Sequence, residues 1–163
     1  MKKVRVLFVC LGNICRSPLA EAIFKHKVKQ NGLEKWIEAD SCGTSNYNIG
    51  DMPDPRTIAN ATRNGVSIEH CGRQLCVEDF DSFDYILAMD RNNYNNILRV
   101  AATEEVKNKV TMMREFDPQG TGDVPDPYYG GEKGFQEVFD ILERTMDSFV
   151  QHLVQTHGHD IKR

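Results

Sequence analysis

The sequence lacks an apolar run long enough to span a bilayer, and its N-terminus lacks the pattern of a signal peptide. Lys2 and Lys3 lead instead into a strand-length segment without a small-residue cleavage site. The formal net charge is only −4, so there is no bulk electrostatic case for binding nucleic acid or an anionic membrane. We therefore expect a protein that binds neither nucleic acid nor membrane. We further expect it to be cytoplasmic and to be a monomer or to self-associate weakly.

The cysteine count excludes a second class of protein. An odd number of cysteines in a chain of 163 residues does not fit a secreted disulfide framework, and the five are Cys10, Cys15, Cys42, Cys71 and Cys76. A reducing compartment and reactive cysteine chemistry fit better. Internal repeats, low-complexity tracts and linkers are also missing, so we expect one compact domain over residues 1–163.

Strand and helix signals alternate along the chain. Strands are predicted at 4–9, 37–41, 85–89 and 110–113, and helices at 18–31, 55–64, 91–100 (capped by Asp90) and 135–153. Long polar loops are predicted at 43–54 and 114–134. Such alternation predicts an α/β fold of three layers, with a parallel sheet and helices on both faces. Ligands of these folds bind beyond the carboxyl ends of the strands, where Cys10, Asp90 and the loop from Arg114 come together.

The most informative segment follows the first predicted strand. It reads Cys10-Leu-Gly-Asn-Ile-Cys-Arg-Ser17-Pro18, in which Ser17 is predicted to be an N-cap and Pro18 the first helical residue. The loop then lies at the positive end of a helix, which is a site for an anion such as phosphate. The Gly-Lys-Ser/Thr ending of an ATP-binding loop is absent, so the motif implies no Mg²⁺, other metal or cofactor.

The residue types in this loop fit phosphoryl transfer. A free thiol has a pKa near 8.5 and is mostly protonated at neutral pH, but a helix N-terminus and good hydrogen-bond donors favour the anion. With Ser17 and the loop amides as donors, we predict that Cys10 is a thiolate. The planar fork of Arg16 suits two phosphate oxygens. Gly12 lets the backbone approach the anion, and Asn13 can brace the loop. A lone cysteine at a strand end is usually a small core residue, but here it occurs in register with a turn glycine and a helix start.

Four segments resemble the low-molecular-weight protein tyrosine phosphatases, and the likeness covers the whole chain. They are the loop Cys10–Ser17, the motif Asp126-Pro-Tyr-Tyr129, Pro53-Asp-Pro-Arg56 and the stretch Phe83–Asp90. The resemblance implies a four-stranded parallel sheet and cytoplasmic phosphomonoesterase activity on phosphotyrosine-bearing proteins.

The same resemblance implies residue roles. Cys10 would be the nucleophile, Arg16 the transition-state clamp, Ser17 a stabiliser of the thiolate and Asp126 the general acid and base. His70 would support the loop. The substrate-binding set would comprise Leu11, Gly12, Asn13, Ile14 and Cys15 in the loop and Tyr47, Tyr128 and Tyr129 as walls of the crevice. Ile14 fits the tyrosine-directed members, because related protein-arginine phosphatases carry threonine there.

These roles predict a two-step reaction. Cys10 attacks phosphorus while Asp126 protonates the departing phenolate, and Asp126 then activates water to release phosphate. Since an ordinary aspartate has a pKa near 3.9, the rate is predicted to be higher at acidic pH. Cys15 is either a partner for a reversible disulfide with Cys10 or a packed, inert thiol, and the sequence leaves both open.

Other interpretations of the sequence are weaker but distinct. A thiol-dependent arsenate reductase shares this kind of loop and needs relay cysteines, but the spacing of Cys71 and Cys76 does not match that relay. A non-enzymatic phosphotyrosine-binding module is disfavoured because thiol, guanidinium and acid are all present. The aspartate-proline motif is alternatively a plain turn, and its tyrosines ordinary aromatics. The C-terminal histidines lack partners at ligand spacing and predict no metal site: His152, His157 and His159.

Overall fold

The sheet of the protein is parallel and four-stranded, as predicted. The computed structural model describes residues 3–128 and 130–158. The strands are β1 (Val4–Cys10), β2 (Ile37–Gly43), β3 (Tyr85–Ala88) and β4 (Val110–Met112), and they lie in the order β2-β1-β3-β4. β1 is an interior strand, because it pairs with β2 on one side and with β3 on the other.

Helices connect the strands. They are α1 (Arg16–Gln30), α2 (Pro55–Arg63), α3 (Asp79–Ser82), α4 (Arg91–Val100), α5 (Glu104–Lys107) and α6 (Glu132–His157), with a 3-10 turn at Met113–Phe116. The short α3, α5 and 3-10 turn were not predicted, and α6 begins three residues before the predicted start, so the loop predicted at 114–134 is shorter. Among the described residues, no helix is long and apolar enough to cross a membrane.

The core has two halves, one on each face of the sheet. Successive side chains of a strand point to opposite faces. Phe8 of β1 therefore packs with α1 and α6, through Phe24 at 5.4 Å between ring centroids and then Phe149 at 5.5 Å. Leu7 and Val9 belong to the other half, with residues of β3 and α4. Helices cover both faces, which confirms the three-layer architecture.

The start of α1 differs from the prediction in a way that bears on the site. The helix begins at Arg16 with Cys15 as its N-cap, and no side chain caps it. Ser17 is therefore a helical residue and the predicted Ser17 cap is wrong. The reason is that the Ser17 hydroxyl has other partners: the Cys10 sulfur, the Asn13 amide and the Cys42 carbonyl.

Candidate active site

The predicted site residues meet at the carboxyl edge of the sheet. β1 ends at Cys10, and Asp90 follows β3 after one residue. The connections from β1 and β3 leave toward opposite ends of the sheet, which opens a crevice between these strands. A cavity of about 330 Å³ lies there, lined by Cys10, Leu11, Gly12, Ile14, Cys15, Arg16, Tyr47, Asn48, Asp126 and Tyr128.

The Cys10 thiol lies at the inner end of this cavity. It is only 3% exposed. Its sulfur is 3.0 Å from the Ser17 hydroxyl oxygen, and the backbone N–H of Asn13 donates to it over 3.3 Å. The sulfur therefore faces a hydroxyl and a donating amide beside the N-terminus of α1. These are the contacts that a cysteine nucleophile needs.

Asn13 braces the loop from a strained backbone conformation. Its φ is +57°, which makes it the single non-glycine residue with positive φ among the described residues. The side-chain amide donates to the Ser17 and Ser41 hydroxyls at 2.8 and 3.1 Å. Its carbonyl accepts from His70 Nε2 at 2.6 Å and from the backbone N–H of Arg73 at 3.1 Å. These bonds use both amide hydrogens and both carbonyl lone pairs, and they hold the left-handed turn.

A second layer of polar residues supports Asn13. Since the Arg73 N–H fixes the direction of the Asn13 amide, His70 Nε2 must donate to the same oxygen. The other ring nitrogen, Nδ1, lies 3.2 Å from a carboxylate oxygen of the buried Glu21. Both ring nitrogens thus face acceptor oxygens, one of Asn13 and one of Glu21. Ser41 donates to the same Glu21 oxygen at 2.7 Å.

Arg16 is oriented before any substrate arrives. Its Nη1 donates to Asp90 Oδ2 at 2.7 Å and to the Val124 carbonyl at 2.9 Å. Burial opposes the guanidinium charge, but nearby Cys10 and the Asp90 carboxylate outweigh it and hold the pKa of Arg16 above its ordinary value. Because Nη1 is occupied, the edge formed by Nε and Nη2 is the one suited to bind two oxygens of a phosphate.

Asp126 lies on a loop that is fastened to the rest of the fold. One of its oxygens is 3.9 Å from Arg16 Nη2, and the other accepts from the Tyr128 backbone N–H at 3.0 Å. Its side chain is half exposed. The loop is held by the Val124 N–H, which donates to the Met89 carbonyl just beyond β3 at 2.7 Å. Asp126 thus reaches the guanidinium side of the cavity while remaining in contact with solvent.

Cys15 is also in the cavity wall, but its surroundings differ from those of Cys10. Burial raises the pKa of Cys15 to about 12, even though the nearby Thr57 hydroxyl acts in the opposite direction. The neighbouring Asp54 accepts from Arg56 at 2.8 Å, and this bond lowers the pKa of Asp54. Cys15 is therefore a neutral thiol at physiological pH, whereas Cys10 has donors directed at its sulfur.

Two tyrosines stand at the mouth of the cavity. Tyr47 is 76% exposed and Tyr128 is 43% exposed. The Arg56 guanidinium lies 5.2 Å from the Tyr128 ring centroid, a cation–π distance that links α2 to the Asp126 loop. Tyr129, the third predicted wall residue, falls outside the described residues.

One group of side chains in the described ranges has the spacing of metal ligands: Glu21, Asp40 and His70. Its atoms are already engaged. Glu21 accepts from Lys25 and Ser41, Asp40 accepts from Arg73, and His70 bonds to Asn13. The cluster therefore belongs to the support of the loop. At the other end of the protein, His157 bonds to the Tyr85 hydroxyl, and His159 lies outside the described residues.

The structure also reveals site residues that the sequence reasoning missed. Asp90 was predicted to lie at this edge of the sheet, but its contact with Arg16 was not predicted; it both caps α4 and holds Arg16. Asn48 donates to the Gly12 carbonyl at 3.3 Å, but it lies in a loop without a periodic pattern. Glu21 and Ser41 lie behind Asn13, and the Val124 contact uses a backbone carbonyl, which no side-chain motif reports.

Comparisons with known proteins agree with this geometry. The family model described as "Low molecular weight phosphotyrosine protein phosphatase" matches residues 5–158. The protein of that name from Schizosaccharomyces pombe is 44% identical over 154 residues, which cover 93% of this chain and 98% of that protein.

Solved structures extend the comparison. A crystal structure of a protein tyrosine phosphatase from Entamoeba histolytica has a TM-score of 0.92 and 41% identity, over 94% of this chain and 99% of that chain. A structure of the Bacillus subtilis YwlE arginine phosphatase has a TM-score of 0.84 and 27% identity, over 92% and 95% of the two chains. Sequence, fold and cavity together establish that the chain belongs to the low molecular weight phosphotyrosine protein phosphatase family.

Proposed function

We propose that this protein hydrolyses phosphotyrosine in proteins, as well as small aryl phosphates, through a phosphocysteine intermediate on Cys10. The observation that carries the proposal is the meeting of a sheltered thiol, a preoriented guanidinium and a half-exposed carboxylate around one cavity. Tyr47 and Tyr128 at its mouth are suited to flank an aromatic ring. Relatives named as phosphotyrosine phosphatases support this substrate class.

In the first step, the Cys10 thiolate attacks phosphorus and the bond to the phenolic oxygen breaks. Asp126 gives its proton to that oxygen, so tyrosine leaves as the neutral phenol. Arg16 binds two of the remaining phosphate oxygens, whose charge the loop amides share. In the second step, Asp126 takes a proton from water, the water oxygen attacks phosphorus, and phosphate leaves as the Cys10 thiolate returns. The residues of the chain supply every group in this scheme, so we expect activity to survive a chelator.

We also propose a function for Cys15, which lines the same cavity as Cys10. Oxidation of Cys10 by peroxide would give a sulfenic acid, and the Cys15 thiol could attack its sulfur, expel water and form a disulfide. Because Cys15 is neutral, this reaction follows oxidation of Cys10 and does not compete with it. An external thiol then restores Cys10. We include this protective disulfide in the proposed function.

The test is a steady-state assay on peptides carrying phosphotyrosine, phosphoserine or phosphoarginine. We expect wild type to prefer phosphotyrosine and Cys10→Ser to bind it without turnover. Asp126→Ala should lose activity in part, most strongly with poor leaving groups, since those require protonation. A parallel assay of arsenate reduction with thioredoxin distinguishes the related reductase chemistry. Reduction of arsenate without hydrolysis of phosphotyrosine, or hydrolysis that persists in Cys10→Ser, would overturn the proposal.

A further inference from the structure

Large apolar side chains are exposed at the mouth of the cavity. Seven large apolar side chains are exposed in the described ranges: Leu11, Tyr47, Ile49, Met52, Val77, Val100 and Tyr128. Three of them line the cavity, and Ile49 and Met52 lie on the same loop as Tyr47. We call these five residues (Leu11, Tyr47, Ile49, Met52 and Tyr128) the rim. Grouped exposed apolar side chains mark a binding surface, whereas isolated ones require no explanation.

The loop that carries Ile49 and Met52 is fastened by its backbone. The Gly50 N–H donates to the Gly72 carbonyl at 2.8 Å, and the Gly72 N–H donates to the Asp51 carbonyl at the same distance. A side chain at Gly72 would place its Cβ 2.2 Å from the Asn48 carbonyl oxygen, so the two segments pack too closely for any other residue.

The far end of the loop is held by the phosphate-binding segment itself. The Asp54 N–H donates to the Ile14 carbonyl at 2.8 Å. With both ends fastened, Ile49 and Met52 remain 58% and 70% exposed. A preorganised surface loses little entropy when a partner binds, which makes outward apolar side chains on a held loop effective contacts.

The charges beside the rim select against acidic partners. Asp51 is an exposed carboxylate. The neighbouring cation, Arg56, is already paired with Asp54 and stacked on the Tyr128 and Phe135 rings. An acidic residue of a bound peptide would therefore meet the Asp51 carboxylate and an engaged arginine, whereas an apolar residue would bury rim surface.

We propose that the rim binds the residues on either side of the phosphotyrosine and selects peptide substrates with apolar flanks over those with acidic flanks. The inference rests on the proposed function, since the phosphotyrosine must occupy the cavity for its neighbours to reach the rim. Leu11, Tyr47 and Tyr128 line that cavity, and Ile49 and Met52 belong to the loop that carries Tyr47, which is the reason to assign the rim to a peptide substrate.

The experiment uses three phosphotyrosine peptides of equal length, with Leu and Val, Ser and Gly, or Asp and Glu next to the phosphotyrosine. We expect kcat/KM to be about tenfold or more higher for the apolar than for the acidic peptide, which corresponds to about 1.4 kcal/mol. Ile49→Ser and Met52→Ser should each reduce this ratio severalfold. Val77→Ser and Val100→Ser are matched controls, since both valines are exposed and neither lines the cavity. They should leave the kcat/KM ratio unchanged. The rate of hydrolysis of an aryl phosphate, a substrate without flanking residues, shows that each variant is folded, and peptide rates are divided by it.

Failure of the inference differs from failure of the proposed function. Equal kcat/KM on the three peptides, with full aryl phosphate hydrolysis, overturns substrate selection by the rim and leaves the phosphatase activity in place. Absence of hydrolysis of every phosphotyrosine peptide overturns the proposed function instead. Sedimentation provides a further check: a dimer that Met52→Ser dissociates, together with peptide rates independent of flanks, would assign the rim to a second copy of the chain.

Discussion

Replacing Asp117 with asparagine should destabilise the fold and loosen the segment that carries Asp126. The Asp117 side chain is fully buried. It accepts from Arg144 of α6 at 2.9 and 3.1 Å, from Arg114 at 2.9 Å and from the Gln119 backbone N–H at 2.9 Å. The Asp117 carboxylate thereby joins the start of the loop that carries Asp126 to helix α6. An asparagine has nearly the same shape as Asp117 but lacks the negative charge, and its amide N–H groups would face the guanidinium groups of Arg114 and Arg144.

The magnitude follows from the pKa of this group. Burial opposes ionisation, but the bonds from Arg144, the Gln119 N–H and Arg114 outweigh it and lower the pKa of Asp117 from 3.8 to about 2. One pKa unit corresponds to about 1.4 kcal/mol, so the ionised carboxylate stabilises the folded state by about 2 kcal/mol. The folded-state pKa is the lower one. The contribution is therefore fully present above the unfolded value of 3.8 and disappears as pH falls through about 2.

The assay is urea unfolding of wild type and Asp117→Asn at pH 7 and pH 2.5. We expect the variant to lose about 2–3 kcal/mol at pH 7 and less than about 1 kcal/mol at pH 2.5. Asp147→Asn is the control, because this α6 residue is 68% exposed and its pair with Lys27 should contribute less than about 1 kcal/mol at either pH. An equal loss at the two pH values, or none at pH 7, would refute the reasoning.

The remaining predictions concern the cavity. Arg16→Lys should lower kcat for an aryl phosphate by about 10²–10³-fold, because an ammonium cannot hold two oxygens in a planar fork; steady-state rates check this, and a change below tenfold would count against the clamp. Asn13→Ala should cost about 3 kcal/mol in urea unfolding and slow alkylation of Cys10, since it removes the bonds at a left-handed residue; unaltered stability would argue against the brace. After peroxide treatment, a reducing thiol should restore wild type but not Cys15→Ser, and equal recovery of the two proteins would eliminate the protective disulfide.

The sequence predicted what local pattern and chain order determine. The apolar run of β1 and the three- and four-residue spacing in α6 were sufficient to locate both elements, and a parallel sheet placed Cys10 and Asp90 at one edge. Residue chemistry then singled out Cys10 and Arg16.

What the sequence did not predict depends on distant partners. The two-residue error at the start of α1 arose because Ser17 looks like a cap, whereas its hydroxyl is held by the Cys10 sulfur and the Asn13 amide. The short α3 and α5 contain too few residues for a periodic signal. The Glu21–His70 contact joins a helix to a loop far along the chain, and neither residue belongs to a local motif.

The position of β1 between β2 and β3 has a consequence for the timescales of motion around Cys10. An interior strand bonded on both edges opens only when the sheet as a whole comes apart, so its amide hydrogens should exchange among the slowest in the protein. The rim loop, joined by a few bonds to neighbouring loops, should exchange much earlier. The nucleophile therefore lies at the end of the strand whose amides should exchange last, so slow opening elsewhere in the molecule leaves the reacting sulfur in place.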